Sequence, residues 1–300
     1  MRRTLHCMAA EDARWMIRLL AARGIDRMKP WHRKMGITGD HLRRAGKVFE
    51  VALAGDRQLT RTELYAQLNV AGIRTKIHGM HLLTHWAQAG LICIAARRNN
   101  QSTFALLEDW SPRGRDLSGD EALAELTRMY FQSHGPATLK DFAWWSSLPM
   151  AQAKRALQLT ADLLKSTTID GVEYWLMRDT PAPPASPWPI LLLPPFDEYT
   201  VAYADRTAAA DASVLSSIGH GLAPNILVNG RIAGTWKRTL PPAGNAVVLS
   251  TTLLRILNRK EQTGLAAAAE RYAEFIGRRS AGERSGRTLR APKRKGPRLR

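Results

Sequence analysis

Two four-residue runs, Thr60-Arg61-Thr62-Glu63 and Thr138-Leu139-Lys140-Asp141, constrain this chain more than any other feature. In each, a hydroxyl stands where it can accept from the first free N–H groups of a helix, and an acid three residues on reaches back to the capping residue. The runs lie 78 residues apart, and the chain around them repeats as well. Helical stretches precede both, His41–Ala54 and Glu121–Ser133. Behind the first run comes Thr75–Ala89, with Ile77, Met80, Leu83 and Ala87 at helical spacing; behind the second comes Met150–Lys165, with Ala153, Ala156, Leu157, Leu163 and Leu164. A strand, a polar turn and a returning strand then follow in both copies. The first uses Leu91–Ala95, Arg97–Gln101 and Thr103–Leu107; the second turns at Asp170-Gly171 and returns through Glu173–Met177. Helix, helix, helix, hairpin is the order of a winged helix, a helix-turn-helix with a β wing.

Beyond this repeat the pattern changes. Thr180–Pro189 holds five prolines and reads as a stiff, extended linker. Ile190–Leu193, Tyr199–Tyr203 and Val247–Ser250 suggest strands, and Ile226–Val228, Asn229-Gly230 and Arg231–Ala233 spell a type I′ hairpin. Gly264–Ile276 closes the region as a helix, with Leu265, Ala269, Tyr272 and Ile276 on one face. The expected fold is α+β, tandem winged-helix domains followed by a small β-barrel-like domain. Its parts are an N-terminal helical remnant over 1–35, winged helices over 36–110 and 111–179, the linker over 180–189, the barrel-like domain over 190–277, and a disordered basic tail over 278–300.

Charge narrows the partner. The 300 residues hold 44 Lys and Arg against 26 Asp and Glu, a surplus of +18 that points to a polyanion. Half of it sits in Arg278–Arg300, which has ten basic residues and one acid, Glu283. The remainder of the chain is therefore basic in its own right. No apolar run approaches a membrane span, and Ile190–Leu193 is far too short. Two isolated cysteines, Cys7 and Cys93, make no disulfide framework and fit a reducing, cytoplasmic, nucleoid-associated setting. No phosphate-binding glycine loop and no Ser/His/Asp order is present. Double-stranded DNA is the expected partner, without a membrane, metal or small-molecule cofactor, and the chain is expected to be a monomer.

Four motifs, in order, carry a family resemblance: Arg3-Thr4-Leu5-His6; Asp141-Phe142-Ala143-Trp144-Trp145-Ser146; Leu193-Pro194-Pro195-Phe196-Asp197-Glu198-Tyr199 with Ala204-Asp205-Arg206; and Val228-Asn229-Gly230-Arg231-Ile232-Ala233-Gly234-Thr235-Trp236. Together they resemble the winged-helix DNA-binding family that includes the AlkZ-type DNA glycosylases, over most of residues 1–277. The resemblance implies tandem winged helices, a β-barrel, duplex DNA as ligand and, in the glycosylase members, hydrolysis of the N-glycosidic bond of alkylated purines. It also implies a catalytic Gln-aliphatic-Gln motif in a first winged helix, upstream of the segment that resembles Arg3–His6. No glutamine here begins a Gln-x-Gln or Gln-x-Asp triplet, so that winged helix and its motif are expected to be lacking. Two readings stay open: a DNA-binding protein without full catalytic machinery, and a glycosylase that excises alkylated bases.

Particular side chains are set against plainer alternatives. Gln152, Lys154, Arg155 and Gln158 stand opposite the apolar face of their helix and suit guanine and adenine edges, or else a solvated polar face. Arg97 and Arg98, with Asn99, Asn100 and Gln101, form the first wing tip and suit phosphate or the minor groove. Lys237 and Arg238, after the Asn229-Gly230 hairpin, complete the candidate DNA-binding set. His78, His81 and His85 share a helix face, read as a polar surface rather than a zinc site because no fourth ligand is near in sequence. Trp144 and Trp145 are expected in the core. Asp197 is the weak catalytic candidate, a carboxylate that could stabilise an oxocarbenium ion or activate water. The alternative is that it bonds nearby backbone or Arg206. Read as strand residues, Asp197 and Glu198 face opposite sides and form no acid/base pair.

Overall fold

A computed structural model describes residues 6–181, 188–218, 222–242 and 244–285, with backbone alone over 281–285. The chain divides into two compact units, Met1–Arg178 and Asp179–Arg300. No described helix is long and apolar enough to cross a membrane.

The first unit opens with α1 (Ala10–Lys34), which buries Trp15, Met16, Met28 and His32. It continues through α2 (Gly39–Leu53), β1 (Leu59–Thr60), α3 (Arg61–Val70), α4 (Thr75–Gln88), β2 (Ile92–Arg98), β3 (Gln101–Leu106) and the short α5 (Leu107–Trp110). Both caps expected at Thr60 form: Glu63 N donates to Thr60 Oγ1 at 3.3 Å, and Thr60 N donates to Glu63 Oε2 at 2.7 Å. The helices close on Phe49, Leu53, Leu64, Leu68, Ile73 and Leu82, all essentially without solvent access. Gly79 permits one of the close approaches. A Cβ there would stand 2.6 Å from the Tyr65 ring of α3, so any larger residue would force that ring or α4 to shift. Strands β1, β3 and β2 form one antiparallel sheet in that order.

The same order then recurs. It runs α6 (Gly119–His134), α7 (Leu139–Ser146), α8 (Met150–Leu159), β4 (Leu164–Ile169) and β5 (Val172–Met177). Thr138 and Asp141 make the second reciprocal cap, at 3.1 and 2.9 Å. Where β1 precedes the first cap and pairs with β3, Ala137 precedes the second and bridges to Trp175 of β5. Thus the third strand survives here as a single pair. One boundary differs from expectation. Met150–Lys165 was to be all helix, yet α8 ends at Leu159. Thr160 turns its hydroxyl back onto the Ala156 carbonyl at 3.1 Å, and Lys165–Ile169 pairs in register with β5. Thr167, Thr168 and Ile169 favour the strand, and the apolar spacing of Leu163 and Leu164 serves the strand entry as well as it would a helix.

α1 is fastened to this second set of elements. Arg115, in the connection after α5, donates through Nε to Asp12 Oδ1 of α1 at 2.8 Å and through Nη1 to Glu125 of α6 at 2.8 Å. Arg128 and Arg115 bond to Glu125 and hold its carboxyl down at about 2, against the pull of its burial.

The second unit contains β6 (Ile190–Leu193), α9 (Glu198–Val201), α10 (Ala212–Ser217), β7 (Asn225–Val228), β8 (Arg231–Thr239), β9 (Ala246–Leu253), α11 (Arg259–Phe275) and β10 (Arg279–Ser285). Its sheet runs β10-β9-β8-β7-β6 and curls into a half-barrel with open edges rather than a closed barrel. The α+β class is as expected. α11 lays Leu265, Ala268, Ala269 and Ala273 on a core of Ile190, Ile226, Trp236, Val247 and Leu249. Asn229 and Gly230 both take positive φ, 50° and 78°, as the type I′ turn requires. Two expectations are corrected. Tyr199–Tyr203 is no strand: Asp197 caps a helical turn there, accepting from Tyr199 N at 2.9 Å. Disorder from 278 onward is also overturned for Arg279–Ser285, which pairs parallel to β9. Its basic composition hid this, because ladder bonds come from the backbone and an open sheet edge offers unpaired partners. Residues 286–300 and most of the proline linker lie outside the described residues.

Candidate nucleic-acid interface

Six of the eight candidate DNA-binding side chains lie in the first unit and two in the second. On α8, Ala153 and Ala156 are fully buried while Gln152, Lys154, Arg155 and Gln158 are all exposed. That split is a direct result of the 3.6-residue period, and it leaves two amides and two cations along one open face. Arg155 Nη2 is paired at 2.7 Å to Asp120 of α6, with both side chains half-exposed and therefore weakly held.

The first wing tip is tied to itself and to a helix cap. Asn99 and Asn100 take the left-handed conformation, with φ of 47° and 62°. Arg97 Nη2 donates to both the carbonyl and the side-chain Oδ1 of Asn100 at 2.8 Å. Arg98 pairs with Glu63, the acid of the first capping box. Backbone and hydroxyl bonds from Thr60 lower the Glu63 carboxyl's pKa first, and Arg98 adds to the effect. A helix cap thereby anchors the wing. In the second unit, Lys237 and Arg238 are exposed on β8, and Arg238 Nη1 donates to Tyr272 Oη of α11 at 2.7 Å.

Three expectations about side chains change. The His78, His81 and His85 face of α4 is no solvated surface, because it packs on α1. His78 Nε2 lies 3.0 Å from the Met35 carbonyl, and buried His32 of α1 sits 5.5 Å from His85 and 6.5 Å from His81 between ring centroids. Burial lowers the His32 and His85 pKa values, and neighbouring imidazoles lower them further. His32 lies far away in sequence, so spacing within α4 could not reveal its partners. Trp144 is 44% exposed rather than core, whereas Trp145 packs against Tyr130 and His134. Asp197 spends one carboxylate oxygen on capping α9. This cap places Tyr199, whose hydroxyl donates to the Gly230 carbonyl at 2.6 Å. Two motifs thirty residues apart in sequence therefore meet, an encounter no linear reading could supply.

The sequence matches the family described as DNA glycosylase AlkZ-like over residues 1–275. The chain belongs to the AlkZ-like DNA glycosylase family. An interstrand DNA cross-link repair glycosylase of Streptomyces sahachiroi is 26% identical over 259 residues, which span 79% of this chain and 68% of that protein. The solved structure of Streptomyces sahachiroi DNA glycosylase AlkZ superposes with a TM-score of 0.74 at 23% identity, covering 95% of this AlkZ-like chain and 80% of the other. At that identity the likeness speaks for the fold.

Proposed function

We propose that this AlkZ-like chain binds duplex DNA through two winged helices, residues 36–110 and 111–179. The observation that carries the reading is the open face of α8, where Gln152, Lys154, Arg155 and Gln158 are exposed over buried Ala153 and Ala156. α8 follows a capped helix and precedes a hairpin, the position of the helix that enters the major groove in helix-turn-helix proteins. The wing arginines Arg97 and Arg98, with Lys237 and Arg238, supply phosphate contacts, and the +18 surplus sets the sign of the long-range field. Replacing Gln152, Lys154, Arg155 and Gln158 by alanine should weaken duplex binding at least tenfold with unchanged thermal unfolding. An unaltered affinity would refute the docking of α8.

Family membership over residues 1–275 favours a second reading, excision of alkylated bases. A glycosylase extrudes its base and stabilises positive charge on the sugar while water attacks. No glutamine of this sequence begins the Gln-x-Gln triplet to which the resemblance gives that role, and Asp197 is engaged as a cap. Loss of one preorganised stabilising group lowers such rates by roughly 10²-fold or more. The expected outcome is release of 7-methylguanine from methylated duplex DNA close to the protein-free rate, in single turnover. Release well above it that disappears in Asp197→Asn would make the chain a glycosylase with Asp197 as catalyst. Release that persists in Asp197→Asn would make it a glycosylase working through another group.

A further inference from the structure

The turn that leads into α8 is held from outside its own repeat. Ser147, which ends α7, takes φ of 63°, a left-handed conformation that a residue with a Cβ keeps only where its surroundings hold it. The corresponding turn ahead of α4 has a glycine in that conformation, Gly72, with φ of 74°. Part of the hold on Ser147 is local. Ser146 Oγ donates to the Phe142 carbonyl at 2.6 Å and accepts from Leu148 N at 3.2 Å, and Leu148 is buried. A further bond comes from α1, where Arg23 Nη1 donates to the Ser147 carbonyl at 2.6 Å. The last carbonyls of a helix have no partner within it, and a cation suits that end of the helix dipole. The first repeat uses the same device from a nearer source: Arg44 of α2 donates to the carbonyl of Ala71, which ends α3. The residue after Arg23 lies against α4, since a Cβ on Gly24 would stand 3.0 Å from Gln88 Oε1. Consecutive residues of α1 therefore touch both repeats, and Arg115 ties the start of α1 to α6 through Asp12 and Glu125.

We propose that Arg23 is a positioning residue for DNA binding, one that acts through α8 and touches no DNA itself. By holding the Ser147 carbonyl it fixes the direction in which α8 leaves the turn. It thereby sets the angle at which Gln152, Lys154, Arg155 and Gln158 meet a duplex. Arg23 has this role only if α8 docks as proposed above. Its side chain is exposed, so the core does not depend on it.

Affinity of the full chain for a duplex of arbitrary sequence is measured by anisotropy across a salt series, beside thermal unfolding. Arg23→Ala should bind about fivefold more weakly at every salt concentration, with unchanged unfolding. The salt slope should also stay unchanged, whereas a lost phosphate contact would make it shallower by about 0.9. Ser147→Gly takes a left-handed φ without strain, so adding it to Arg23→Ala should restore most of the affinity. In the variant with alanine at Gln152, Lys154, Arg155 and Gln158, Arg23→Ala should cost less than about twofold more, because groups that act through one another are not additive. Four results would overturn the positioning role and leave the docking of α8 standing: an Arg23→Ala affinity within about twofold of wild type, a shallower slope, no restoration by Ser147→Gly, or full additivity with the α8 substitutions. If the α8 substitutions themselves leave affinity unaltered, the docking of α8 fails and the role of Arg23 falls with it.

Discussion

Cys93 and Cys7 carry the same side chain in opposite settings. Burial on β2 pushes the Cys93 thiol up to about 11, whereas Cys7 is exposed. Because the thiolate is the reactive species, Cys93 should resist alkylation in the folded protein. Iodoacetamide near neutral pH, followed by peptide mass analysis, should label Cys7 and reach Cys93 only after unfolding; equal labelling of both would contradict this burial. The sequence offered the two thiols but no means of telling them apart. Much the same holds for Trp144 and Trp145, since helical spacing separates adjacent residues by about 100° without saying which one faces inward. Asp197 shows the converse. Its motif marks it as important, and only its bond to Tyr199 N shows that it acts by fixing a turn.

Local signals were legible wherever a few adjacent residues set the backbone. Both capping boxes, the Asn229-Gly230 turn and the onset of α6 lie close to where the sequence puts them. Thr60→Ala and Thr138→Ala should each destabilise the first unit by about 1 kcal/mol, read by urea unfolding. A change below a few tenths for both would mean the caps are ornamental. Contacts between distant segments were not legible, and the α1–α4 seam is the clearest instance. His32 is buried beside His81 and His85, and its folded-state pKa lies below 6.5. Below that pH the unfolded chain takes up a proton that the folded chain resists, so stability falls as the solution is acidified. The unfolding temperature should drop between about pH 7 and pH 5, with a shallower drop in His32→Leu. Profiles of equal slope would place the acid sensitivity elsewhere. The C-terminal end of α8 and the strand β10 are not legible in the sequence because pairing partners, rather than propensity, decide them.

For the molecule as a whole, composition indicated a polyanion partner, and the repeated order of elements indicated the architecture of the first unit. Neither located the contact of Tyr199 with Gly230, because it needs two motifs to meet in space. In the proposed interface, duplex DNA is held chiefly through its phosphates. Six candidate side chains are cationic: Arg97, Arg98, Lys154, Arg155, Lys237 and Arg238. If all six neutralise phosphates, the logarithm of the binding constant should fall against the logarithm of salt concentration with a slope of about −5. The most direct measurement is the affinity for a duplex of arbitrary sequence across a salt series. A loss of roughly a thousandfold is expected between about 50 and 200 mM salt. An affinity that stays flat over that range, or no measurable binding at the low-salt end, would contradict it.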